Sequence, residues 1–209
     1  GTTIAFVSGT KTITDSGLGL NIFQPGDTVL VTGAGQGANN KAVTVVTAQQ
    51  DGSAITVSES LTDEGAGATV TLALANSRGF KDIFNDCIIE IYSGSQPADA
   101  DQAETGTKLL RITAGGGAFT PGAAANGLSF QDPAGGIIAK NPGETWVGAG
   151  LASGTAGWFR CYSNIYKTGQ SATAVRFDGS VGTSGSQLNL STTNIISGQN
   201  TTIDSFQLT

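Results

Sequence analysis

The densest group of potential ligand atoms in this chain lies in PADADQAETG, which brings Asp99, Asp101 and Glu104 close together. Clustered carboxylates suit a hard cation such as calcium, but the central Gly and terminal Glu of an EF-hand loop are missing. The surrounding Pro and Ala read as an exposed loop, so solvated charges are expected and no metal ligand is assigned. A second candidate is VLVTGAGQGANNK, residues 29–41, where a strand runs into glycines. Gly33, Gly35 and Ala38 stand where a dinucleotide-binding turn would have its small residues. That chemistry needs a helix next, with its N-terminus facing the pyrophosphate. The following KAVTVVTA is short and β-branched, so the glycines are expected to form a flexible hairpin loop.

Glycoside hydrolysis calls for two carboxylates beside aromatic platforms. Glu144 near Trp146 is the closest approach to that pattern, and no carboxylate pair sits within an aromatic cluster. His is absent. That removes the usual base near neutral pH and the commonest metal ligand. There is no GxSxG elbow either, so no serine triad is read. Cys87 and Cys161, the only cysteines, each sit in an apolar run. Buried free thiols are expected there, with pairing left open. Trp146, Trp158, Phe159, Tyr162 and Tyr166 fit either a ligand surface or a core, and core anchoring is expected. Trp158 and Phe159 are adjacent, so they face opposite sides of a strand. The sequons at Asn189 and Asn200 read as chance matches in an Asn/Thr-rich tail. No catalytic, cofactor-binding or metal-ligating residue is assigned, and no cofactor is expected.

The elements that would position such residues are strands. Only 12% of the 209 residues are charged, and there are 31 glycines and no Met. Thr, Val and Ile favour strands, and Gly supplies turns. The net charge of −6, with basic residues scattered singly, speaks against a nucleic-acid partner. No apolar run approaches the roughly 20 residues a membrane span needs, so no membrane partner is expected. The opening GTTIAFVSG lacks the basic and long apolar regions of a signal peptide. The lack of Met is expected from removal of an initiator, or from a mature or trimmed chain. Phe6 stands where a myristoylation motif needs Ser or Thr, so that modification is rejected.

Turn signals divide the chain into two domains. Residues 1–76 carry short β runs at 3–7, 11–14, 28–32, 41–48, 54–58 and 68–74, separated by Ser8-Gly9, Pro25-Gly26 and Asp51-Gly52. They predict a small β-barrel or sandwich module. Asn76 to Gly79 reads as a linker into a domain over 77–209. There CIIEIY (87–92) is the most apolar strand, residues 93–107 form a long exposed loop, and a strand follows at 108–113. Further strands are expected near Leu128, Ile137, 145–147, 158–162, 172–177, 187–190, 194–196 and 202–208. Many strands and no helix predict a larger antiparallel β-sandwich, jelly-roll-like. The chain is therefore expected to be all-β.

Several of these segments carry a resemblance. IYSGSQPADADQAETGTKLL, GTAGWFRCY, FDGSVGTSGSQLNL and TTNIISGQ resemble a set of structural proteins of tailed-bacteriophage virions. More loosely, GTKTITDSG, FQPGDTVLVTG and ITVSESLTDEGAG are similar to small β modules of phage particle proteins. The resemblance implies a non-enzymatic virion protein, made in the host cytoplasm, that decorates or cements the outside of the capsid. Its implied partners are the major capsid protein or other virion proteins, with the chain a homo-oligomer in the particle. The alternative it implies is a tail, baseplate or fibre-associated protein that binds host-surface glycan. The resemblance brings no catalytic residue with it. The Gly/Ala-rich residues 115–126 and the N-terminal residues lack core periodicity and are expected to order against neighbours.

Overall fold

The computed structural model describes residues 1–75 and 79–208. The linker expected over 76–79 falls mostly on residues 76–78, outside the described residues. The all-β expectation holds: strands hold 40% of the chain and helices 5%, in curled antiparallel and mixed sheets. The chain divides into two compact units, Gly1–Arg78 with Pro121–Ala124, and Gly79–Thr120 with Ala125–Thr209.

The smaller unit contains β1 (Ile4–Val7), β2 (Thr12–Asp15), β3 (Thr28–Thr32), β4 (Ala42–Ala48), β5 (Ala54–Val57) and β6 (Thr71–Leu74). They form one antiparallel sheet in the order β1-β2-β5-β4-β3-β6. Alternation decides what each strand buries. In β3, Val29 and Val31 are buried, whereas Leu30 and Thr32 are exposed. Ile13, Val43 and Ile55 join those valines in a single core. Gly33 ends β3 with a positive φ of 79°, and a Cβ there would stand 2.3 Å from the Thr69 carbonyl oxygen. Only glycine fits that turn and close approach.

The larger unit contains β7 (Ile88–Ser93), β8 (Lys108–Ala114), β9 (Ile138–Ala139), β10 (Trp146–Ala149) and β11 (Gly154–Tyr162). It continues with β12 (Arg176–Gly182), β13 (Leu188–Asn189), β14 (Asn194–Ile195), β15 (Asn200–Ile203) and β16 (Gln207–Leu208). Its main sheet runs β13-β12-β11-β7-β8-β10-β15, with β14 paired to β11, and β16 pairs separately with β9. The β12–β13 pair is parallel and the other pairs are antiparallel, so the sheet is mixed. One face of the sheet carries the apolar core: Ile89 and Ile91 from β7, Leu110 and Ile112 from β8, and Phe159 and Cys161 from β11.

Three expectations need correction. A helix is present: α1 (Phe80–Ile83), a single turn. Phe80, Ile83 and Phe84 have helical spacing, and both rings pack edge-on or tilted against Phe177. One turn is too short to leave a lasting period in the sequence. The strand expected at 172–177 starts only at Arg176, because the Ser171 hydroxyl accepts the Thr173 and Ala174 N–H groups and bends the chain there. The run expected at 202–208 splits at Asp204 into β15 and β16, which belong to different sheets. Among the described residues, no helix is long and apolar enough to cross a membrane.

Candidate functional site

The richest grouping of titratable side chains lies on the second face of the larger sheet, opposite the apolar core. Alternation places Glu90 and Tyr92 of β7 there, with Trp158, Arg160 and Tyr162 of β11 and Asp178 of β12. Register aligns one row of charge across four strands. Asp178 pairs with Arg160, Arg160 with Glu90, and Glu90 with Arg111 of β8. The signs alternate along the row, as cross-strand neighbours require.

Each member is held by several bonds. Arg160 is fully buried and grips Asp178 with two parallel bonds, Nε to Oδ1 at 2.6 Å and Nη2 to Oδ2 at 2.7 Å. Its Nη1 donates to the Gln102 carbonyl at 2.9 Å and to Glu104 at 3.1 Å. Glu90 is likewise fully buried. Its Oε1 accepts from Lys108 Nζ at 2.8 Å, Arg111 Nη2 at 2.7 Å and Tyr166 Oη at 3.0 Å, and its Oε2 accepts from Tyr92 Oη at 2.5 Å. The Tyr92 and Tyr162 hydroxyls lie 3.1 Å apart, and Tyr162 donates to Glu104 at 2.7 Å. A continuous chain of polar contacts thus joins Glu90 to Asp178.

The surroundings fix the protonation states. Burial pushes the Tyr92 hydroxyl far above its ordinary value, and the Glu90 charge adds to that. Burial and the bond to Glu104 do the same for Tyr162. Burial alone would raise Glu104, but bonds from Tyr162 and the Gly169 N–H outweigh it and hold the carboxyl below the usual range. Burial works against the charge on Arg160, yet its bonds to Asp178 raise it further. The phenols therefore keep their protons, and the ions neutralise one another.

Glu104 comes from the loop between β7 and β8, and Arg176 ties the same loop down through the Ala100 carbonyl at 2.6 Å. That loop is therefore anchored, and its three acidic residues have separate tasks. Asp99 accepts the Asp101 and Gln102 N–H groups, Asp101 is exposed, and Glu104 turns inward. Glu104 is thus no solvated charge. Among the described residues, no three His, Cys, Asp or Glu side chains are grouped to hold a metal ion.

The other candidates are equally occupied. The glycine run 33–37 does cradle a carboxylate, but it is the chain's own. Glu64 accepts from the Gly35 N–H at 2.6 Å, the Gln36 N–H at 3.0 Å and Asn39 Nδ2 at 3.1 Å. The hairpin expected here forms between β3 and β4, and these bonds tie its loop to Glu64. Glu144 accepts from Trp146 Nε1 at 2.8 Å and from the Ser129 N–H and hydroxyl at 2.9 and 2.6 Å. Asp86 is near it; burial, helped by the Glu144 charge, pushes its carboxyl up to about 6. Cys87 and Cys161 are buried free thiols in contact, and burial pushes the Cys161 thiol well up. Trp146, Trp158, Phe159 and Tyr162 are interior, as expected of core anchors, and Tyr166 is half-buried. The Trp158 ring stacks on Tyr92 at 4.5 Å, with 13° between planes.

Sequence reasoning missed the charge row. Its signal was a lone charge inside each of two apolar strands, Glu90 in CIIEIY and Arg160 in GWFRCY. Such charges are almost never buried without partners. No family model, curated protein or solved structure matches the chain.

Proposed function

We propose that this chain is a non-enzymatic structural protein of a tailed-phage particle, seated on the outside of the capsid and cementing it through protein–protein contacts. One observation carries the reading: where the segments bearing the resemblance fall. IYSGSQPADADQAETGTKLL runs from the end of β7 through its loop into the start of β8; GTAGWFRCY is β11; FDGSVGTSGSQLNL covers all but the first residue of β12 and all of β13. These are consecutive neighbours in one sheet. Their polar residues are spent inside the unit: Arg160 holds Glu104 and Gln102 of the loop and Asp178 of β12, and Lys108 holds Glu90 of β7. Residues used in this way serve a rigid scaffold, and a particle component needs a rigid scaffold with an exterior for contacts. A glycan platform would use exposed aromatic faces, whereas both tryptophans here are fully buried.

Gold-tagged antibody against this chain, imaged on purified particles that carry it, tests the proposal. Label spread over the head is expected. Label confined to the tail tip or collar overturns the capsid assignment, and intact particles without label overturn the external one.

A further inference from the structure

We infer that a groove in the larger unit takes an extended segment of another protein as an added β-strand. The groove encloses about 580 Å³ and is lined by residues around β13, by Thr202 of β15 and by residues 204–208, which include β16. Each of these strands has a neighbour on one side only, β12 for β13 and β10 for β15. Register shows which main-chain groups are left over. The Leu190 N–H donates to the Gly182 carbonyl of β12 at 2.9 Å. Alternation turns the N–H and C=O of Asn189 the opposite way. On the far side, the Gly150 N–H donates to the Gln199 carbonyl at 2.9 Å. Stepping along the register from there, Gly148–Thr201 and Trp146–Ile203 are the bonded pairs and Val147–Thr202 is not. The N–H and C=O of Thr202 therefore point away from β10.

A single exposed sheet edge is common, and proteins blunt it with charge, Pro or cover. Here the two edge strands of one curled sheet both contribute residues to a single groove. Leu190 and Phe206 are buried beneath it and Leu208 is half-buried. The one charged lining residue is Asp204, which is exposed. An extended polypeptide in the groove would pair with such an edge, its main chain supplying the ladder and alternate side chains the selectivity. Apolar residues of the segment would rest on the half-buried Leu208, and a Lys or Arg would face Asp204. A basic arm also suits a chain of net charge −6. The inference rests on the strand edges, the groove and the charge around it, so it stands or falls separately from the capsid assignment.

The test is to pan a displayed library of random peptides, about ten residues long to match a strand, against the full chain. The enriched sequences should alternate apolar residues and carry Lys or Arg. Thr202→Pro removes the outward N–H and spares the bonds to β10; it should weaken those peptides at least about tenfold. Asp204→Lys, at an exposed position, should do the same and covers the case in which the proline variant does not fold. No enrichment, or enriched peptides that bind both variants as tightly as the parent, overturns the inference. If sedimentation shows the chain pairing with itself and Asp204→Lys abolishes that pairing, the occupant is a second copy and the foreign arm is overturned.

Discussion

Asp86 shows how the position of one residue fixes its chemistry. It has a left-handed φ of 58°, its main-chain carbonyl accepts from Asn164 Nδ2 at 3.0 Å, and its carboxyl is partly buried near Glu144. Burial and the neighbouring charge raise its folded value from 3.8 to about 6. The folded state therefore binds this proton more tightly than the unfolded chain does. Stability from this group is fully present below pH 3.8 and is lost as pH rises through about 6. Asp86→Asn removes the charge and keeps a residue that tolerates left-handed backbone. The variant should be more stable than the parent at pH 7 by about 1 kcal/mol, a figure discounted for the exposed part of the side chain. That advantage should shrink as pH falls from 7 to 4. Thermal unfolding of both proteins across that range checks it, and an advantage that does not change with pH would contradict the assignment.

At the scale of elements, the charge row explains why the loop between β7 and β8 stays on the sheet. Arg160 connects Asp178 of the next strand to Glu104 and Gln102 of the loop. Removing one partner of a buried ion pair strands the rest without water. Arg160→Gln should therefore cost about 3–5 kcal/mol, read as a lower denaturant midpoint. Adding Asp178→Asn should recover part of that loss, because one orphaned charge is then gone. A double variant no better than the single one would mean that the pair is not the source. Most strands of this network were legible from apolar runs and turn residues, as β7, β8 and β11 show. The pairing was not. Nothing local in CIIEIY says that Glu90 will stand beside Arg160, because 69 residues and several turns separate them before register joins them. Glu104 was misread for a related reason: a carboxylate in an Asp/Ala/Pro loop looks solvated until the strand beneath it supplies an arginine. The one-turn helix α1 escaped because helical periodicity needs more length than Phe80–Ile83 offers.

At the scale of the whole molecule, each unit owns a closed core. Val29, Val31, Val43 and Ile55 share one cluster, and Ile89, Ile91, Leu110, Phe159 and Trp146 share the other. Every strand pair of either sheet closes within its own unit. Cooperative unfolding follows shared burial, so two disjoint cores predict two transitions instead of one. A truncation in one core should then shift one transition and leave the other in place. Val43→Ala and Ile91→Ala, each at a fully buried site, provide the pair of tests, with an expected loss of about 2–4 kcal/mol apiece in the affected unit. Differential scanning calorimetry of the parent and both variants reads this directly. Two transitions that move independently give each core its own stability. A single transition lowered by both variants would mean that the units unfold together, and the stability of the charge row would then have to be counted in the whole chain.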